Sequence, residues 1–166
     1  MGVSGTPETF RRSAILRKVE RMFLGKYEHA IDEKGRTTIP ARYRELLEEG
    51  GYITQGFDQN LILLAASTFN RIYQRVNQMS MTDPATRQLR RLIFSNADRI
   101  IFDRAGRILI PQFLRQAAGL DGQAIILGLG DYVEIWSPEN WSIQNQQLHA
   151  ADANAQRFAA LDLSTQ

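Results

Sequence analysis

Short runs of apolar and polar positions recur along this chain in a fixed order. Arg36-Thr37-Thr38-Ile39 and Arg107-Ile108-Leu109-Ile110 are rich in β-branched residues and read as strands. Each is closed by a proline, Pro40 or Pro111, which cannot donate to a sheet ladder and fits the first turn of a helix. Helical spacing follows. Tyr43, Leu46 and Leu47 share one face of Ala41–Glu49, ahead of Gly50-Gly51, and Phe113, Leu114, Ala117 and Ala118 do the same in Gln112–Ala118, ahead of Gly119. Apolar strands come next, Leu61-Ile62-Leu63-Leu64 and Tyr132-Val133-Glu134-Ile135-Trp136. Between the two sets, Phe69, Ile72, Tyr73, Val76 and Met79 mark a helix over Thr68–Met79. Asp83-Pro84 caps a second helix running to about Ser95. Ser137-Pro138-Glu139 starts another helix, and the Gln-, Asn- and Ala-rich tail from Trp141 is helix-compatible, fraying near Gln166.

The order is a true internal repeat. An offset of 71 places Asp32-Glu33-Lys34-Gly35-Arg36 on Asp103-Arg104-Ala105-Gly106-Arg107, Ile39-Pro40 on Ile110-Pro111, and Arg44 on Arg115. Apolar lead-ins precede both copies: Tyr27, Ala30 and Ile31, then Ile100, Ile101 and Phe102. Both copies read Asp-x-x-Gly-Arg-x-x-Ile-Pro. In each, glycine supplies the positive φ of a tight turn and the aspartate accepts turn N–H groups. Each unit is therefore strand, turn, strand, short helix, strand, strand. The expected divisions are an extension over 1–21, a first repeat over 26–69, a helical connector over 70–96, a second repeat over 97–140 and a C-terminal helix and tail over 141–166.

Composition narrows the chemistry. With no cysteine there are no disulfides, thiolate metal sites or thiol nucleophiles, and two histidines leave little for a His-based triad. Glu28, His29 and Asp32 imitate metal ligands but lack further well-spaced partners, and His29 reads as exposed. Gly128-Leu129-Gly130-Asp131 lacks the third glycine of a dinucleotide loop and reads as a turn. No Gly-x-Ser-x-Gly elbow occurs, so an enzyme, a cofactor and a small-molecule substrate are not expected. No apolar run approaches the roughly 20 residues of a membrane span.

The net charge is +2. It comes from the first 21 residues, where Arg11, Arg12, Arg17, Lys18 and Arg21 face only Glu8 and Glu20; the remainder holds 15 basic and 16 acidic residues. That segment reads as a disordered extension, with a DNA-contacting arm as the alternative, and Met22 is a candidate alternative start. In the connector, Arg87, Arg90 and Arg91 crowd the second helix, as a solvated face or paired with acidic neighbours, with a nucleic-acid or subunit contact as the alternative.

Met22-Phe23-Leu24-Gly25, Asp32-x-Lys34-Gly35-Arg36 with Ile39-Pro40-Ala41-Arg42-Tyr43-Arg44, and Asp103-x-x-Gly106-Arg107 with Ile110-Pro111 resemble bacterial MraZ proteins, as does Leu114-Arg115-Gln116-x-Ala118-Gly119-Leu120. The likeness covers roughly residues 22–150. It implies an α+β, mainly β fold: two tandem SpoVT-AbrB-like half-domains around a pseudo-two-fold, forming a small swapped-hairpin β-barrel with connecting helices. It also implies subunits closing into a homo-oligomeric ring in the cytoplasm, associated with the nucleoid. The implied function is sequence-specific binding of promoter DNA at short direct repeats upstream of the cell-division and cell-wall gene cluster, usually with repression.

Carried onto this chain, the DNA-binding motifs are Asp32, Lys34, Gly35 and Arg36, and Asp103, Arg104, Gly106 and Arg107, together with Arg42. Arginine bridges the guanine O6 and N7 acceptors, so Arg36 and Arg107 are assigned to base readout. Lys34, Arg42 and Arg104 suit phosphates, which position without reading sequence. Asp32 and Asp103 have the wrong sign for phosphate and are assigned to fixing the turn and orienting its arginine. Ala105 stands where the first copy has Lys34, and Arg104 where it has Glu33, so the halves are expected to contribute unequally. A ring-forming scaffold or antitoxin-like interaction protein is the alternative that the same barrel supports.

Overall fold

The computed structural model describes residues 21–161, together with Pro7, Glu8, Arg11, Arg12 and Leu16. Most of the basic extension at 1–21 therefore lies outside the described residues. In the first unit, β1 (Phe23–Ala30), β2 (Arg36–Thr38), α1 (Ala41–Leu46), β3 (Gly51–Gln55) and β4 (Leu61–Ala65) follow the expected order. The connector holds α2 (Ala66–Asn77) and α3 (Pro84–Ile93). The second unit repeats the order as β5 (Asp98–Arg99), β6 (Arg107–Leu109), α4 (Gln112–Ala117), β7 (Gln123–Gly130) and β8 (Val133–Trp136), followed by α5 (Pro138–Leu148) and α6 (Ala151–Phe158). The fold is α+β.

The strand pairing interleaves the units. A six-stranded sheet runs β1-β7-β8-β4-β3-β5, and a separate two-stranded ribbon pairs β2 with β6. The first strand of each unit thus pairs with the third strand of the other, β1 with β7 and β5 with β3, both antiparallel. The ribbon register, Arg36 opposite Leu109, Thr37 opposite Ile108 and Thr38 opposite Arg107, is unchanged when the units are exchanged.

Burial follows from this interleaving. Ile39, Tyr43, Ile53, Leu61, Leu63, Ile108, Ile110, Leu114, Ile126 and Ile135 form one core drawn from both units. Each such aliphatic side chain contributes about 1.5–3 kcal/mol. Consecutive residues Leu61–Leu64 are all buried, because β4 has the core on one face and α2 over the other. On β7, Ala124 and Ile126 face the main core, while Ile125 and Leu127 join Trp136 under Trp141 of α5. The Tyr43 hydroxyl donates to the Leu24 carbonyl at 2.5 Å, and burial pushes its phenol up to about 12.

Four details differ from the sequence reading. The lead-in Ile100-Ile101-Phe102 is not a strand equivalent to the end of β1. In the first unit the Ile31 N–H donates to the Gly122 carbonyl at 2.8 Å, but in the second it is Ile100, not Phe102, that donates to Gly51, at 3.0 Å. Ile101 and Phe102 are therefore two extra residues between the pairing and the turn, and Ile101 is 80% exposed. The strand is short because α3 occupies the chain just before it: the Thr54 hydroxyl donates to the Ile93 carbonyl at 2.5 Å and pins the helix end to β3. The turn expected over Gly128–Asp131 is narrower than that: Gly128 and Leu129 belong to β7, and the chain reverses at Gly130-Asp131, where the Leu129 N–H donates to the Tyr132 carbonyl at 2.9 Å. His29 is half-buried, stacked against Tyr27 with its Nε2 enclosed and unpartnered. Finally, among the described residues Arg87 and Arg90 form no ion pair with a carboxylate. They donate to the carbonyls of Met81, Thr82 and Val76 and tie α3 to the end of α2 and the loop that follows it.

Candidate nucleic-acid interface

Each turn is built by its aspartate. The Gly35 N–H donates to the Asp32 carbonyl at 2.9 Å, and the Asp32 N–H to the Arg36 carbonyl at 2.9 Å, closing the hairpin between β1 and β2. Asp32 Oδ1 accepts from the N–H groups of Lys34 and Arg36 at 3.0 and 2.8 Å, while Oδ2 accepts from Arg36 Nε at 2.7 Å. The second turn repeats this atom for atom. Asp103 Oδ1 accepts from Ala105 and Arg107 N–H at 2.9 and 3.0 Å, and Oδ2 from Arg107 Nε at 2.8 Å. Gly35 and Gly106 have φ of 87° and 76°, which favours glycine at both.

These bonds fix the charges. In each aspartate the backbone N–H of its arginine, foremost, and the guanidinium beside it hold the carboxyl below its ordinary value of 3.8, against a smaller opposing effect of burial. Each arginine side chain is one-third exposed, with Nε turned inward to its aspartate. The ion pairs of the described residues leave both terminal nitrogens of Arg36 and Nη2 of Arg107 for an external acceptor, an arrangement that at Arg36 suits a bidentate acceptor pair.

The β2·β6 ribbon brings the turns together. Residues two apart on a strand, and residues opposite each other across a pair, share a face. Arg36, Thr38, Arg107 and Leu109 therefore lie on one side of the ribbon, and Thr37 and Ile108 are buried on the other. The turns are close enough for Arg107 Nη1 to approach Asp32 Oδ2 at 3.6 Å. Backbone bonds cross between the units here too: Ile39 N–H donates to the Gly106 carbonyl at 3.1 Å and Ile110 N–H to the Gly35 carbonyl at 2.9 Å.

Of the residues singled out from sequence, Arg36, Arg107, Asp32, Asp103, Gly35 and Gly106 converge in this ribbon. Lys34 and Arg104 are exposed at the two turn tips, and Arg42 is exposed on α1, outside the turns. Thr38 and Leu109 share the arginine face and were not singled out; the period of two counted from each arginine is the signal that places them. Arg44 and Arg115 were also passed over as site residues. They lie against the opposite unit's turn, and their marks in the sequence are their equivalence at the repeat offset and their place in the segments that resemble the MraZ pattern. No group of three or more His, Asp or Glu able to hold a metal ion occurs among the described residues, and no helix there is long and apolar enough to cross a membrane.

Known proteins match this arrangement over most of the chain. A family model described as "MraZ protein, putative antitoxin-like" matches residues 22–92 and again 93–163. A protein of Thermomicrobium roseum named Transcriptional regulator MraZ is 47% identical over 141 residues, spanning 84% of this chain and 99% of its own length. Its namesake from Roseiflexus sp. is 51% identical over 138 residues, covering 83% of this chain and 94% of its own. One from Dictyoglomus thermophilum is 40% identical over 126 residues, 76% of this chain and 86% of its own length. With both repeats matched and relatives of this identity spanning nearly their full length, the chain belongs to the MraZ family of transcriptional regulators.

Proposed function

We propose that the chain binds double-stranded promoter DNA sequence-specifically and represses transcription of the cell-division and cell-wall gene cluster. It does so through the two turns, at short direct repeats, as a homo-oligomeric ring in the cytoplasm and on the nucleoid. The observation that carries this reading is the shared face of the ribbon, where Arg36 and Arg107 stand together, each one-third exposed and each held at Nε by the aspartate of its own turn. Such preset guanidiniums read guanine O6 and N7 from the major groove, while Thr38 and Leu109 beside them offer methyl groups to a thymine. Lys34, Arg104 and Arg42 serve phosphates. Asp32, Asp103, Gly35 and Gly106 shape and present the turns.

The described body is close to neutral, so one subunit neutralises few phosphates. A ring repeating the ribbon on one surface, matched to repeated DNA, adds linked weak contacts as avidity. The test is a gel shift on a fragment carrying the promoter repeats, with wild type and Arg36→Ala, at several salt concentrations. The expected result is a salt-sensitive shift with wild type that the variant loses. No wild-type shift on any repeat-bearing fragment overturns the reading and favours a scaffold or antitoxin-like role. Equal affinity for one repeat and for several removes the avidity argument.

A further inference from the structure

Two cations beside the turns have no role in that reading. Arg44 lies on α1 of the first unit and Arg115 on α4 of the second, at equivalent places in the repeat, and each lies against the turn of the other unit. A Cβ built on Gly35 comes within 2.6 Å of Arg115 Cζ, 2.7 Å of Nε and 2.9 Å of Nη2. Three guanidinium atoms at nearly equal distance mean that the flat face of the group, not its tip, covers the turn. Arg44 fills the space over Gly106 differently, end-on, with Nη1 nearest the position of such a Cβ and Cζ behind it at 2.5 Å, and it lines the groove beside Asp103 and Arg104. Each group sits next to a backbone bond that crosses the units, Ile110 N–H to the Gly35 carbonyl and Ile39 N–H to the Gly106 carbonyl. Neither is engaged by a carboxylate: among the described residues the ion pairs join only Asp32 and Asp103 to Arg36 and Arg107.

We propose that Arg44 and Arg115 are positioning residues for sequence readout, each clamping the turn of the opposite unit so that a helix in one half sets the aim of the reading arginine in the other. The inference rests on the DNA-binding reading of the turns. The shape of the guanidinium matters here more than the charge, because the flat face of Arg115 and the branched end of Arg44 fill the space that each glycine leaves over its Cα. Lysine keeps the charge but has neither the plane nor the branched end to place there.

That difference supplies the experiment. Arg44→Lys and Arg115→Lys are compared with wild type on a duplex carrying the direct repeats and on a scrambled duplex of equal composition, across a salt series and below the unfolding temperature of each variant. A positioning role predicts an unchanged salt slope, because the charge remains, and a repeat-to-scrambled affinity ratio that falls roughly tenfold. It also predicts faster amide exchange across the units, at Ile110 in Arg115→Lys and at Ile39 in Arg44→Lys. A ratio equal to wild type in a folded Lys variant overturns the inference. So does a variant that weakens binding equally on both duplexes, the mark of a phosphate contact. The two positions are independent probes, so a folding failure at one leaves the other decisive. Wild type that does not discriminate the duplexes sinks the DNA reading, and this inference with it. Discrimination by wild type together with unchanged Lys variants sinks this inference alone.

Discussion

The first and second turns share one hydrogen-bond scheme and differ in how the residues around it are held. Asp32 accepts from Arg36 Nε and has Arg107 Nη1 at 3.6 Å as well, whereas the ion pairs of the described residues give Asp103 only Arg107. The first turn carries Glu33 and Lys34 at its tip; the second carries Arg104 and Ala105. Arg115, over the first turn, donates from Nε to the Ile110 carbonyl at 3.0 Å, while the guanidinium of Arg44 reaches the second turn by its flexible end. The aspartate, the glycine and the arginine reproduce the backbone path by themselves. The charge, stiffness and freedom of each copy are set by residues outside the motif. Two copies of a motif are therefore two presentations of one shape, not two equal sites.

The largest difference is expected from placing a methyl group in each turn. An alanine at the positive φ of Gly35 or Gly106 costs about 1–2 kcal/mol from backbone strain. At Gly106 the Arg44 end can swing away. At Gly35 the methyl also displaces a group held by a carbonyl, adding about 1 kcal/mol. Urea unfolding should show Gly35→Ala losing about 2–3 kcal/mol and Gly106→Ala about 1–2 kcal/mol. Equal losses would mean that Arg115 is no more anchored than Arg44.

The next effect concerns readout. Arg107 is shared between two aspartates and Arg36 is held by one, so Arg36 has the freer outer nitrogens. Arg36→Ala should cost about 1–3 kcal/mol of repeat binding and relax discrimination at its base. Arg107→Ala should cost less discrimination at any single base. Competition binding against duplexes with single-position changes checks this. The reverse ranking would make the second turn the dominant reader.

How much of this was legible beforehand depends on how local each interaction is. The turns could be read from their letters because Asp32 meets Lys34 and Arg36 within four residues, whatever the rest of the fold does. The order of strands and short helices could be read for the same reason: Pro40, Pro111 and the glycines act on their immediate neighbours. The clamp of Arg115 over Gly35 could not be read, since it exists only once the units interleave. Nor could the slip at Ile101-Phe102, where the end of α3 competes with β5 for the same stretch of chain. The arginines of α3 misled for a related reason. The partners of Arg87 and Arg90 are backbone carbonyls at the end of α2 and in the loop after it, and a carbonyl has no signature in sequence.

Acid separates the turns more gently. Both aspartates have carboxyls held below the ordinary value of 3.8 by the N–H groups and guanidinium that they bind. A depressed value in the folded state adds stability that is fully present above the unfolded value and is lost as pH falls through the folded one. The unfolding midpoint should hold steady from neutral pH to about 5 and then decline below about 4. Asp32→Asn and Asp103→Asn should each flatten that decline, Asp32→Asn more because two arginines face it. Parallel acid limbs in wild type and both variants would remove the aspartates from the balance.

The smallest expected effect lies beneath the ribbon, where the two units differ by a single side chain. Thr37 and Ile108 face each other on its buried side, both fully enclosed, and the Thr37 hydroxyl has no partner. A buried hydroxyl without a hydrogen bond has lost its water and gained nothing in exchange. Valine has nearly the shape of threonine and would put an apolar group where the second unit already has one. Thr37→Val should therefore raise stability by up to about 1 kcal/mol, read as a higher urea midpoint at an unchanged slope. It should leave DNA binding alone, because Arg36 and Thr38 point from the opposite face. A destabilised Thr37→Val with weakened binding would show that the hydroxyl tensions the ribbon between the two turns, and that the halves are coupled through its floor as well as through Arg44 and Arg115.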